Sequence, residues 1–194
     1  MNSYANHNAR KAMPHRERFF IFFLCALSLF FLCSPSFSAE RQTRTIETRY
    51  SVIHFTTDED LAEFGRKIGG SAAYLTRDSE KTLLLAKENV DRIVYRVKSL
   101  LDMYPPQLHF SIKIYSTQAE LKDIYSEMGI IGKAPIAFYA QKSHTIYLST
   151  DRLSDGIFAH EVAHAVINSY FATPPPALMQ EILAQYVDKH LKDE

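Results

Sequence analysis

Cysteine is nearly absent from this 194-residue chain: Cys25 and Cys33 are its two thiols, and both lie in the first 40 positions. The remainder has no disulfide framework, so its fold must rest on a core and on any group it binds. Also lacking is an apolar run of the roughly 20 residues that cross a bilayer. The run FFIFFLCALSLFFL, Phe19 to Leu32, stops well short of that. There is no internal repeat, no low-complexity linker and no basic patch with interleaved aromatics, which leaves nucleic acid without a binding surface.

Arg10, Lys11, Arg16 and Arg18 precede the apolar run, and the small-residue stretch CSPSFSAE follows it. That order is the one a secretory signal peptide shows, here residues 1–38 with a cut after Ser38. Uncleaved, the same segment is a short anchor that associates the protein with the inner membrane. Phe31 and Leu32 stand where a lipid-attachment site at Cys33 wants small residues. The expected location is periplasmic or secreted. With 1–38 set aside, 18 Lys and Arg face 21 Asp and Glu, a net of about −3. The full chain is 46% hydrophobic, and residues 39–194 suit a single domain.

RYSVIHF (Arg49 to Phe55) alternates as a strand does, and DEDLAEFGRKIGG opens with acids and closes on glycines as a short helix does. A long amphipathic helix is expected from Asp78 to Met103, with Leu84, Val90, Ile93, Val94, Val97 and Leu101 at three- and four-residue intervals. Tyr104-Pro105-Pro106 ends it. LHFSIKIY (Leu108 to Tyr115) predicts a strand, TQAELKDIYSEMG a helix with Thr117 as N-cap and Glu120 completing a capping box. IAFYAQKSHTIYLS predicts a hairpin turning at Gln141 to Ser143. Two helices joined by FATPPP complete the chain. The order β-α-α-β-α-β-β-α-α is that of an α+β domain, a small mixed sheet with helices packed on it.

The penultimate helix holds His160, Glu161 and His164 in an otherwise apolar setting. Residues four apart share a helix face, so two imidazoles at this spacing converge on one ion. Zn2+ suits them, with nitrogen ligands at about 2.0–2.1 Å and an open position for water once a third protein ligand is found. A buried ionised Glu161 needs compensation, and a divalent metal supplies it. For the third ligand, a metzincin requires glycine and histidine where this chain has Ile167 and Tyr170. Glu181, 17 residues beyond His164 and past Pro174–Pro176, is placed for an antiparallel second helix to deliver. Asp188 and His190 are rival ligands that need that helix placed differently.

HEVAH, a proline-bearing loop and then LMQEILAQY resemble the peptidase MA-like gluzincins, exported bacterial proteins with the pattern HExxH, short loop, W-L-x-E-G-x-A-x-Y. The resemblance extends upstream through the order of elements, over residues 50 to 190. It implies a zincin-like fold with a long backing helix, His160, His164 and Glu181 as zinc ligands, and Glu161 as catalytic base in hydrolysis of peptide bonds by metal-activated water. Where the family commonly has a carboxylate hydrogen-bonded to a ligand histidine, this chain has Gln185; Ile182 replaces a glycine, and Met179 and Gln180 replace the usual approach residues.

A developing oxyanion needs a donor besides the metal. The candidates are Tyr139, Tyr170, Tyr186 and His190. Ile136 to Ala140 is the strand placed to pair with an extended peptide or protein substrate. With 13 residues after Glu181, the site is expected to be open or completed by a partner protein. The alternative function is a catalytically weak or inactive binding or assembly module on the same fold.

Overall fold

A computed structural model describes residues 43–69 and 79–193 of the chain; the expected leader, 1–38, lies outside them. No helix among the described residues is long and apolar enough to cross a membrane. The elements are β1 (Arg44–Glu47), β2 (Ser51–Phe55), α1 (Asp58–Gly69), α2 (Ser79–Leu101), β3 (Phe110–Tyr115), α3 (Gln118–Glu127), β4 (Ala137–Ala140), β5 (Thr145–Ser149), α4 (Asp155–Tyr170) and α5 (Ala177–His190). A 3-10 turn at Gln141–Ser143 joins β4 to β5, with His144 left-handed at φ 46°. Among the described residues the class is α+β, with a small mixed sheet and five α-helices.

The sheet runs β1-β2-β3-β5-β4. Its central pairs β2/β3 and β3/β5 are parallel, and the outer pairs β1/β2 and β4/β5 antiparallel. β1 is an addition to the expected order. Its sequence RTIE is mostly exposed, so it carries little of the apolar alternation by which a strand is recognised. The strand expected from Arg49 begins at Ser51, because the Arg49 N–H turns away to the Asp91 carboxylate at 3.2 Å.

Alternation divides the sheet's faces. Ile53, Phe55, Ile112, Ile114, Ile146 and Leu148 join the main core, into which α1, α2, α4 and α5 also pack. On the other face Tyr125 of α3 meets Phe138 edge-on at 5.1 Å, and Phe138 stacks on Tyr147 at 5.0 Å. In α2 the inward stripe is Ala86, Val90, Ile93, Val94 and Val97, whereas Leu84 is exposed. Buried Asn89 donates to the Gly65 carbonyl at 3.3 Å and so joins α2 to α1.

Caps fix where the helices begin. Thr57 and Asp60 exchange hydrogen bonds at the start of α1, and Ser116 at the end of β3 donates to the same Asp60 carboxylate at 2.5 Å. Thr117 caps α3 by accepting from the Glu120 N–H, while the Glu120 carboxylate accepts from Ser116 N, one residue before the cap. Ser154 caps α4 by accepting from Ile157 N at 3.2 Å. α4 ends at Tyr170, ahead of the prolines, and Pro176 opens α5, its carbonyl accepting from Met179 and Gln180.

α4 and α5 pack antiparallel: Gly156 meets Asp188 at one end and Asn168 meets Gln180 at the other. A Cβ at Gly156 would meet the tip of the exposed Asp188 side chain, which would have to swing aside, while the nearest backbone atom lies 3.9 Å away. Gly156→Ala is therefore expected to change stability by under about 1 kcal/mol, displacement of the Asp188 side chain offsetting the gain in helix propensity. Urea denaturation checks this, and in an Asp188→Ala background the same substitution should be net stabilising, since no side chain then has to move.

Candidate functional site

α4 is buried along most of its length, and its polar exceptions collect on the side toward α5 and β4. His160 and His164, one turn apart, hold their ring centroids 5.1 Å from each other with planes at 70°. Glu181 reaches across from the second turn of α5. Its Oε2 is 3.4 Å from His160 Nε2, and its Oε1 is 3.3 Å from His164 Nε2. Ligand atoms from the three side chains all lie within 4.8 Å of one another.

A tetrahedral ion with ligands at about 2.0–2.1 Å has ligand-to-ligand edges of about 3.3–3.4 Å. Each histidine nitrogen lies about that edge from a carboxylate oxygen, but from different ones, His160 from Oε2 and His164 from Oε1. Two neutral imidazole nitrogens and one carboxylate oxygen form a donor set that suits Zn2+ and leaves a fourth position toward the pocket. With ligand atoms within 4.8 Å of one another and this donor chemistry, the three residues could hold such an ion.

Glu161 follows the first histidine and is only 8% exposed. Burial pushes its carboxyl up to about 8, the negative charge of Glu181 adds to the rise, and a hydrogen bond from the Tyr139 backbone N–H opposes it. Without a metal this carboxyl holds its proton at neutral pH; a bound dication favours the ionised form. Burial holds His164 below the usual histidine range, assisted by His160 and opposed by Glu181 and by hydrogen bonding to the Gln180 and Glu181 side chains.

The cavity in front of these residues is about 420 Å3 and open to solvent. β4 forms one wall. Because Ser149 N donates to Ile136 O at 3.0 Å and the pairing is antiparallel, Phe138 and Ala140 turn their backbone groups toward β5. Ala137 and Tyr139 turn theirs to the free edge. The Tyr139 N–H that meets Glu161 is one of these. Ala177, Gln180 and Glu181 form the facing wall.

Of the proposed oxyanion donors, Tyr139 lines the cavity, but its hydroxyl is engaged with His144 Nδ1 at 3.0 Å and burial pushes it up to about 12. Tyr170, Tyr186 and His190 are not among the lining residues. Tyr170 packs edge-on against Phe171 at 5.1 Å. Tyr186 lies against the His190 ring at 4.4 Å, and His190 Nδ1 is 2.5 Å from Asp193 Oδ2. The rival ligands go elsewhere: Asp188 packs on Gly156, and His190 is at the far end of α5, where Arg96 of α2 donates to its carbonyl at 3.3 Å.

Gln185 is exposed and does not line the cavity. α5 turns Gln180, Leu183, Ala184 and Val187 inward, and Gln185 falls on the opposite side. The amides at the site are Gln180, which the motif marked only as a departure at an approach position, and Asn168, which it did not mark. The usable signal was spacing, since Asn168 is four residues after His164 on the same helix face.

No family model, curated protein or solved structure matches the chain.

Proposed function

We propose that the chain is an exported zinc-dependent peptidase with a zincin-like fold. The observation that carries the reading is the convergence of His160, His164 and Glu181 on one point, with the Glu161 carboxyl beside them and the free edge of β4 alongside. A bound zinc ion would supply the Lewis acidity that activates water and polarises a carbonyl.

The chain's own residues provide the rest. Ala137 and Tyr139 offer edge donors and acceptors that hold an extended peptide in register. Glu161, hydrogen-bonded by the Tyr139 N–H, takes a proton from the attacking water and delivers it to the departing amine. The open cavity suits an unstructured segment of a protein substrate better than a small molecule enclosed on all sides.

A second reading has its own observation. On α5, Leu178 and Ile182 flank Glu181 in sequence and are 74% and 59% exposed. Apolar side chains this open, beside the site, favour a protein partner that completes the cleft, as a binding or assembly module would have.

The deciding experiment measures zinc in the purified exported chain and compares wild type with Glu161→Gln on unstructured protein substrates. One zinc per chain with hydrolysis that the substitution removes supports the peptidase. Stoichiometric zinc without hydrolysis in wild type favours the binding module, and absence of zinc overturns both.

A further inference from the structure

The sheet face that α3 partly covers carries a groove sharing no residue with the cavity in front of His160 and His164. His54 of β2, Lys113 of β3 and Tyr147 of β5 are register neighbours, so they form one row across that face. Beside the row is a cavity of about 240 Å3, bordered by His54, Lys113, Thr56 and Tyr115. It adjoins a second of about 420 Å3 through four shared residues, Thr43, Thr56, Ile114 and Tyr115. At the far end of the second, α3 supplies Glu120 and Asp123.

The groove thus has opposite charge at its two ends, and the charges do not meet each other. Among the described residues Lys113 pairs with no carboxylate; its ammonium lies 5.4 Å from the centre of the Tyr147 ring. Asp123 likewise pairs with no cation. Burial and the Lys113 charge hold His54 below the usual histidine range, so at neutral pH it adds hydrogen-bonding capacity without a second positive charge.

The spacing of the ends selects the ligand. The Glu120 carboxylate accepts from Ser116 N at 3.1 Å. Ser116 is three residues beyond Lys113, which sets the ends roughly 10 Å apart at about 3.3 Å per extended residue. A free amino acid holds its two charges much closer together, and a simple ion satisfies one end only. An extended peptide covers the distance in about three residues.

We propose that the groove binds a short peptide of about three residues with both ends free, its carboxylate received by Lys113 and His54 and its ammonium by Glu120 and Asp123. Tyr115, which lines both cavities, lies between the ends. An intact protein chain presents no pair of opposite termini this close along its backbone, so the ligand class is short peptides. No residue of the metal cluster lines the groove, and the inference stands without the peptidase reading.

The test titrates trialanine into the full chain by calorimetry, in a Glu161→Gln background with chelator present, so that the probe is not turned over. One-to-one binding is expected, weakened about 10-fold or more by N-acetylation, by C-terminal amidation or by shortening to free alanine, since each removes a charge-assisted contact or the span. Lys113→Gln should abolish the preference for a free carboxylate and keep that for a free ammonium; Asp123→Asn should reduce the preference for the ammonium alone. Unchanged melting temperatures show that both variants are folded, and Asp123, being exposed, carries the test should Lys113→Gln not fold. In the complex the His54 ring, followed by NMR, should titrate at higher pH than in the free chain, because a carboxylate beside it favours the protonated form. Absence of saturation at millimolar trialanine overturns the proposal. Equal affinity for the capped peptides or for free alanine does so too, as does binding that neither groove substitution alters. The zinc content of wild type bears on the peptidase reading and leaves this result untouched.

Discussion

Glu161→Gln should lower peptide hydrolysis by about 10²–10⁴-fold, the usual contribution of a positioned general base, while zinc content stays at the wild-type level. The amide keeps the shape of the carboxyl and can still accept from the Tyr139 N–H, but it cannot take a proton from water. Retained turnover would remove Glu161 from the reaction. The same substitution has a second, independent consequence in the metal-free protein. The Glu161 carboxyl is pushed up to about 8 in the folded chain, whereas an unfolded one ionises near 4.5. Below pH 4.5 both states are protonated, and the stability associated with the neutral buried carboxyl is fully present. As pH rises the unfolded chain releases its proton first, and that stability is lost progressively up to and through pH 8. At about 1.4 kcal/mol per unit the loss amounts to roughly 5 kcal/mol. The substituted amide has no proton to lose. Metal-free wild type and variant should therefore melt together near pH 4 and separate by pH 9, with the variant the more stable; parallel melting curves across that range would contradict the burial of an uncompensated carboxyl.

Zinc is expected to close that gap. A dication beside Glu161 favours the charged form, so addition of zinc at pH 8 stabilises wild type by mass action and by relieving the carboxyl's cost. On the proposed reading metal and base would be energetically joined: the group that burdens the metal-free fold would be the one a bound ion makes useful.

Much of this region is legible in the sequence because the signals there are local. Pro174–Pro176 force a break, the four-residue histidine spacing selects one face, and the apolar surroundings require burial, which the structure shows for Phe158, Ala159, Val162, Ala163, Val166 and Ile167. Strand order is another matter. β5 lies between β3 and β4, an arrangement set by which faces can be covered at once, and β1 is recruited by pairing with β2, not by its own hydrophobicity. The amides illustrate the same limit at the scale of a side chain. Gln185 drew attention through its position in the motif, yet the inward stripe of α5 runs through Gln180, Leu183, Ala184 and Val187. A shift of five residues on a 3.6-residue helix is 140° of rotation, enough to exchange a site residue for a solvated one.

Phe158→Ala should be the most damaging core substitution near the site, costing about 3–5 kcal/mol out of the roughly 5–15 that holds a domain of this size. The side chain is fully buried and meets Phe64 edge-on, with centroids 5.4 Å apart and planes at 88°. It joins the first turn of α4 to α1, whereas His160 and His164 project toward α5 and β4 from another face of the same helix. Truncation leaves a cavity between two helices that are also anchored elsewhere, α1 by its Asp60 contacts with Thr57 and Ser116 and α4 by its close approach to α5 at Gly156. Neither can slide freely to fill it, so most of the cavity term should persist. Phe158→Leu, retaining most of the volume, should cost well under half as much. Urea denaturation reads the difference as a fall in midpoint at unchanged slope. Zinc should still bind one to one at temperatures where the variant remains folded, because the ligands do not touch the vacated space. A loss below about 1.5 kcal/mol would show that the interior collapses around the missing ring, and disappearance of zinc from a folded variant would show that the position of α4 is set mainly by Phe158.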